Sequence, residues 1–547
     1  MLQEQEPVLS LPAAIALCSL SGLMLALCFP PAGLWFLVWV ALAPWMIVLR
    51  TTTCGRALVA SWLGGMVFFG VLLSWLNLFG FLPWLIACAV ESLPLMLWGL
   101  SQRYTGRLTP ALRMLGAAAL WCALEWVRGL GAFGFTWGWL GYSQAPARWL
   151  LPMARLVGTV GVSFVIVLAN AALAELVAPW FAGDPRGRPL RRSLLGLAAT
   201  GVLLLVLRAW GAAAPRPDGP TVTAAVVQGS AHGPLLAEDV NTPLTQEEQE
   251  AAMDCYAALT AEAARERPAL IVWPESAIPE APEEAQWVAA RLARVADEAD
   301  AWLLAGGAYV DGEGRTFNSA YLYSPSGHLT ARYDKVHLVP FGEYVPGRSW
   351  LPLLHRYPIR ESDFAAGSVP RMLQAGTMTI GAMICFESIF PAISWGRAER
   401  GAQVMVVMTN DAWFGRTAAA EQHRQIAVLR AVETGRWVLR GASTGISAII
   451  APDGRIVAEA GLYEPKALSA EIRLTQPEQP GQRFGTAFAW LMVALSMLLV
   501  IAGGSLPRAS VTDGAAPPPA RPPRRGAAVP PRSGRTRSSP PGTPDTR

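Results

Sequence analysis

Apolar residues along this chain come in two rhythms. Long runs occupy about 9–29, 34–49, 57–79, 81–101, 111–128, 156–178 and 193–211, and one more lies at about 485–503. A helix needs about 20 apolar residues to cross the hydrocarbon core of a bilayer, and most of these runs reach that length. They predict about eight membrane helices, seven within 1–215 and one at 485–504. Between them, 219–480 is cut into short pieces. Strand-like runs are TVTAAVVQ (221–228), ALIVWPE (269–275), WLLAGGAYV (302–310), SAYLYS (319–324), MTIGAMIC (378–385), VMVVMT (404–409) and ISAIIAP (446–452). Helix-like runs are 247–267, 284–300, 388–400 and 419–434, the first two with apolar positions at three- and four-residue spacing. Strands alternating with helices predict an α/β layered domain. Residues 505–547, rich in Pro, Arg, Ser and Gly, cannot bury a core and predict a disordered tail.

Composition fits this division. The chain is 52% hydrophobic and 15% charged, with 22 Trp, whereas a soluble domain carries about a quarter charged residues. The first run lacks the basic leader and small-residue cleavage site of a signal peptide and reads as a retained helix. Arginines set the orientation. Arg50 and Arg56 follow the second run; Arg103, Arg107 and Arg113 the fourth; Arg186, Arg188, Arg191 and Arg192 the sixth; Arg508 and Arg521 lie in the tail. The connections at 30–33 and about 80 carry none, while 129–155 carries Arg148 and Arg155 against the trend. Basic residues favour the cytoplasm, so both termini are expected there and 219–480 on the opposite side. Glu91 and Glu125 fall inside apolar runs, where a carboxyl group is costly. Each either serves a function or pairs inside the bundle with an Arg or a Trp N–H. The irregular stretch 340–372 holds Trp350, Leu351, Leu353, Leu354 and Tyr357, which either dip into the bilayer interface or form a buried loop.

A net charge of +4 with scattered arginines gives nucleic-acid binding no support. Seven cysteines without a C-x-x-C pair, and five histidines without H-E-x-x-H, point away from a disulfide scaffold, a zinc site or any other metal or cofactor. Cys385 stands where the strand GAMI should stop. If a helix starts there, its free N–H groups favour a thiolate nucleophile; a small buried hydrophobe is the alternative. Glu275 ends a strand behind Trp273 and Pro274, either as a base with a raised pKa or as a solvated acid in a turn. Lys335 is one of two lysines in 219–480, set among Val336, Leu338, Val339 and Phe341. It is either a surface charge or an ammonium able to stabilise an oxyanion. Glu343, eight residues on, is placed to hold it.

WPES, YDKVHLVPFGE and ICFES, in that order, resemble the Glu–Lys–Cys triad motifs of the nitrilase (carbon–nitrogen hydrolase) superfamily. TNDAWFG at 409–415 is similar to its strand and loop after the nucleophile. Over about 1–505 the chain resembles one membrane branch, the apolipoprotein N-acyltransferase family. The resemblance implies a multi-pass α-helical membrane bundle of about eight spans plus an α/β nitrilase-like αββα sandwich. It makes Glu275 the general base, Lys335 the oxyanion stabiliser and Cys385 the nucleophile. Glu343, Glu387, Phe386 and Trp413 match supporting or substrate-binding positions. The family often has Tyr where this chain has Phe386, and a Trp after the first strand that 229–240 lacks.

The implied reaction moves a fatty acyl group from a membrane phospholipid, through a thioester on Cys385, to the α-amino group of a diacylglyceryl-cysteine at an apolipoprotein N-terminus. It implies a monomer in the bacterial cell inner membrane with a periplasmic catalytic domain and an apolar cleft toward the bilayer. Two other readings are a membrane-tethered amidase transferring to water, and a transporter or scaffold with a lapsed site.

Overall fold

The computed structural model describes residues 9–181, 189–214, 217–229, 245–348, 363–475 and 483–506. These belong to one compact unit. The loop residues Trp350–Tyr357, the stretch 230–240 and the tail after Leu506 lie outside the described residues.

Every apolar run falls on helix. The bundle comprises α1 (Leu11–Leu27), α2 (Val38–Ala41), α3 (Ala43–Thr51), α4 (Cys54–Leu72), α5 (Phe81–Thr105), α6 (Pro110–Arg128), α7 (Ala154–Phe181), α8 (Pro189–Ala213) and, after the catalytic layers, α13 (Arg483–Ser505). Among the described residues five helices are long and apolar enough to cross a membrane: Cys54–Leu72, Phe81–Gln102, Leu151–Ala178, Ser193–Ala213 and Phe484–Ser505. Two runs differ from the expected continuous spans. The run at 34–49 breaks between α2 and α3, with Pro44 in the first turn of α3. Asn170 of α7 repairs the break: its Oδ1 accepts from Leu42 N at 2.9 Å and Ala43 N at 3.1 Å, and its Nδ2 donates to Val38 O at 2.8 Å. Irregular backbone at membrane depth requires such internal partners. The run at 57–79 stays α-helical only to Leu72 and tightens to a 3₁₀ segment, Ser74–Phe79.

Small residues bring helix backbones together. A Cβ on Gly22 would lie 2.2 Å from Gly64 O, so α1 and α4 pack at a distance only glycine permits. The intramembrane acids are paired. Glu91 meets Arg128 at 2.5 Å. Glu125 Oε1 accepts from Trp121 Nε1 at 2.9 Å and Leu140 N at 2.8 Å. Glu175 holds both Arg50 (2.8 Å) and Arg113 (2.6 Å). Arg148, against the charge trend, faces Asp453 of the α/β domain at 3.4 Å.

That domain has two six-stranded sheets. One runs β12 (Lys466–Arg473), β1 (Thr221–Gln228), β2 (Leu270–Val272), β3 (Trp302–Val310), β4 (Thr316–Tyr323), β5 (Leu329–Asp334). The other runs β11 (Ile456–Glu459), β10 (Ala448–Ile450), β9 (Val438–Ala442), β8 (Val404–Thr409), β7 (Met378–Ile384), β6 (Leu373–Ala375). Strands β1–β2–β3 and β7–β8–β9 pair in parallel, the rest antiparallel. Val226, Val272, Leu304, Ile384, Val406 and Leu439 share the core that contains residues of both sheets. Helices α9 (Gln246–Ala264) and α10 (Gln286–Ala299) pack on the first sheet. Helices α11 (Pro391–Glu399) and α12 (Ala419–Thr434) share a core with the second sheet and the bundle. This is the αββα sandwich, one helix layer of which faces the membrane helices.

Candidate active site

Polar residues of the site sit where parallel strands end, the crevice in which open α/β sheets bind ligands. After β2, buried Trp273 and then Pro274 carry the chain into Glu275, and Ser276 follows at φ +56. Glu275 is 6% exposed. Its Oε1 accepts from Asn318 Nδ2 at 2.7 Å, and its Oε2 from Asn410 N at 2.6 Å. Burial pushes its pKa up. Lys335 opposes this, Glu343 adds to it, and the bonds from Asn318 and Asn410 oppose it.

Lys335 follows β5 and is 1% exposed. Its Nζ lies 2.9 Å from Glu343 Oε1 and 3.6 Å from Glu275 Oε1. Burial alone would lower its pKa, but Glu343, then Glu275 and Cys385, hold it above the ordinary value, which favours the ammonium. Glu343 also accepts from Asn318 Nδ2 at 2.8 Å and from Val339 N at 2.8 Å. Asn318 of β4 thus ties both acids together. Sequence reading passed over it because the predicted strand began one residue later, yet an Asn among apolar strand residues needs buried partners.

Cys385 follows β7 at φ +51, a conformation that costs a non-glycine residue energy. It begins a 3₁₀ turn, Cys385–Ile389, and α-helix starts only at Pro391. The α-helix expected to start at Cys385 is therefore not there. Burial, then the Glu275 carboxylate, push the thiol up; Lys335 and the Thr409 side chain oppose them without prevailing. One 3₁₀ turn has too few aligned peptides to compensate. The resting group is a neutral thiol with a carboxylate and an ammonium in its field.

Glu387 is fully buried and holds backbone. It accepts from Val336 N (2.9 Å), His337 N (3.2 Å), Ile384 N (2.8 Å) and Tyr333 OH (2.6 Å). It fastens the segment after Lys335 to the turn bearing Cys385. Phe386 packs against Phe135, with ring centroids 6.3 Å apart, and against Phe390 at 5.1 Å. Trp413 stacks on Phe79 of the bundle at 6.4 Å. Behind the nucleophile turn lies a buried polar cluster of Ser388, Asp411, His423 and Arg440 that sequence reading did not single out. Among the described residues no group of three or more His, Cys, Asp or Glu is placed to hold a metal ion.

Fold and site define a carbon–nitrogen hydrolase domain borne on membrane helices. The Carbon-nitrogen hydrolase family model matches residues 223–479, and that of the Apolipoprotein N-acyltransferase N-terminal domain matches 21–172. The apolipoprotein N-acyltransferase of Geobacter metallireducens is 34% identical, covering 87% of this chain and 92% of its own length. That of Gloeobacter violaceus is 31% identical, covering 88% and 93%. A solved amidase from Nesterenkonia sp. is similar over 50% of this chain and 98% of its own, at 19% identity and a TM-score of 0.36. The chain belongs to the apolipoprotein N-acyltransferase family.

Proposed function

We propose that this membrane N-acyltransferase moves a fatty acyl group from a phospholipid to the α-amino group of an N-terminal S-diacylglyceryl-cysteine on apolipoproteins, by a ping-pong route. Glu275 takes the Cys385 proton, and sulfur attacks the ester carbonyl carbon. Lys335 and the Phe386 N–H receive the oxyanion. The ester C–O bond breaks, and Glu275 returns the proton to the departing lysophospholipid oxygen. The neutral α-amine then attacks the thioester carbon and gives its proton to Glu275. The C–S bond breaks, and the proton returns to sulfur. Glu343 keeps Lys335 charged, Glu387 fixes the loops, and Phe386 and Trp413 present aromatic surface to acyl chains.

The observation carrying this reading is the buried Glu275–Lys335 contact of 3.6 Å in the field of Cys385, on a chain whose helices are apolar enough for a bilayer. Both lipid-anchored substrates diffuse in that bilayer. We place the enzyme as a monomer in the bacterial inner membrane, its α/β domain periplasmic and its cleft open to lipid. In support, Arg50 and Arg113 meet Glu175, whereas Thr159 of the same helix α7 meets the α/β domain. At 1.5 Å per residue these points lie about 24 Å apart along α7, so basic residues gather away from the catalytic layers.

The test is initial-rate kinetics with phospholipid vesicles and a synthetic diacylglyceryl-cysteine peptide. Parallel double-reciprocal lines and an inactive Cys385→Ala variant are expected. Intersecting lines, or N-acylation by Cys385→Ala, contradict the reading.

A further inference from the structure

The cluster behind the nucleophile turn is wired in one direction. Ser388 Oγ lies 2.7 Å from Cys385 O and 2.8 Å from His423 Nε2. A carbonyl only accepts, so the single hydroxyl proton of Ser388 goes to Cys385 O, and His423 Nε2–H donates to Ser388. Burial, then the Arg440 charge, lower the His423 pKa, and the Asp411 carboxylate opposes them. Its Nδ1 lies 3.2 Å from both Arg440 Nη2 and Asp411 Oδ1. Asp411 Oδ1 also accepts from Thr409 Oγ1 at 2.9 Å, and Oδ2 from Arg440 Nη2 at 2.5 Å, so the carboxylate and the guanidinium together fix the ring. Donation thus runs from His423, held by Asp411 and Arg440, through Ser388 to the Cys385 carbonyl. Arg440, Ser388 and His423 are each 1% exposed or less.

That carbonyl belongs to the peptide whose N–H is Phe386 N–H. The first N–H groups of the turn have no partner within it. Drawing electron density onto the Cys385 oxygen makes the Phe386 N–H more positive, as in any cooperative hydrogen-bond chain, by about 10–30% per bond. The next residues are pinned from the bundle side, since Thr136 Oγ1 donates to Ile389 O at 2.7 Å and Tyr142 OH at 3.1 Å. We propose that Ser388 and His423 are positioning residues that polarise the Cys385–Phe386 peptide, turning the Phe386 N–H into a stronger donor to the acyl oxyanion. The proposal rests on Cys385 being the acylated nucleophile. It gives the two residues a part in acyl transfer without contact to the acyl group.

Two rates at Cys385 separate this from a structural role, both measured on the full chain in detergent by mass spectrometry of the Cys385 peptide. Acylation by phospholipid builds an oxyanion; alkylation by iodoacetamide does not. Ser388→Ala should lower the acylation rate about tenfold, a fraction of what a whole oxyanion donor contributes, at unchanged KM. Alkylation should stay within about twofold, because the thiol and its base are untouched. His423→Leu should do the same, and His423→Gln, whose amide N–H can replace the Nε2 donor, should recover most of the rate. These two variants carry the comparison if Ser388→Ala does not fold. Unchanged acylation, or acylation and alkylation falling together, overturns the proposal. Wild-type protein that carries no acyl group on Cys385 sinks the underlying function instead.

Discussion

Burial, then the Glu275 carboxylate, push the Cys385 thiol above its ordinary 9.0, so in the proposed mechanism attack on an ester follows proton transfer to Glu275. Glu275 itself is raised above 4.5, so its basic form is lost at a higher pH than for an ordinary Glu. Lys335 stays charged beyond 10.5 and contributes no alkaline limb below that. The profile of kcat/KM against pH should therefore show an acid limb above 4.5 and no loss from Lys335 on the alkaline side. A limb at or below the ordinary Glu value would argue against Glu275 as base. Glu275→Gln should cost about 10²–10⁴-fold in kcat, the usual worth of a positioned acid–base group. Glu275 and Cys385 stood out in the sequence because each ends a strand-like run, whereas Lys335, whose strand β5 was not read, stood out as a scarce lysine inside YDKVHLVPFGE. Asn318, Ser388, His423 and Arg440 did not. They come from separate segments, and only tertiary packing brings them to the acids and to the Cys385 carbonyl.

At the scale of elements, the site depends on how turns are tied to each other. Glu387 accepts from backbone on both the Cys385 turn and the segment after Lys335. In Glu387→Gln an amide NH₂ must face N–H donors. The loss of charge-assisted hydrogen bonds is expected to cost about 1.5–3 kcal/mol, read as a lower thermal midpoint in detergent, with kcat falling as Lys335 and Cys385 lose register. A full-rate, fully stable variant would show that the two turns hold without it. Strands β1, β3 and β8 match their predicted runs from first residue to last; in β8, VMVVMT, β-prone residues buried on both faces leave no competing pattern. Strands β5, β6, β9, β11 and β12 were missed. β5 and β12 are polar on alternate positions, and β9 buries Arg440 in mid-strand, which only its partners Asp411 and Ile446 O make tolerable. The long apolar runs read easily as helices. The break between α2 and α3 did not, because its repair comes from Asn170, far along the chain.

At the largest scale the described residues form one compact unit, in which α12 is clamped to the bundle by polar contacts out of solvent. Glu433 Oε1 accepts from Thr159 N and Oγ1, both at 2.6 Å, and Glu433 pairs with Arg430 at 2.9 Å. Gln422 donates to Pro30 O at 2.9 Å and accepts from Trp137 Nε1 at 2.7 Å. Glu433→Gln leaves the Arg430 guanidinium buried and unpaired, which should cost about 3–5 kcal/mol. Differential scanning calorimetry in detergent should show that loss as a lowered or split transition; an unaltered one would mean the clamp is not structural. The sequence foretold helices and sandwich separately, while this clamp joins residues 274 to 392 positions apart and had no local signature. The central claim remains that Cys385 carries the acyl group between two lipid substrates. Mass spectrometry of the protein mixed with phospholipid, and no acceptor, tests it most directly. The account predicts a fatty acyl mass on the Cys385 peptide, absent in Glu275→Ala and discharged when diacylglyceryl-cysteine peptide is added. Transfer proceeding while Cys385 stays unmodified, or an adduct that the peptide does not discharge, would contradict it.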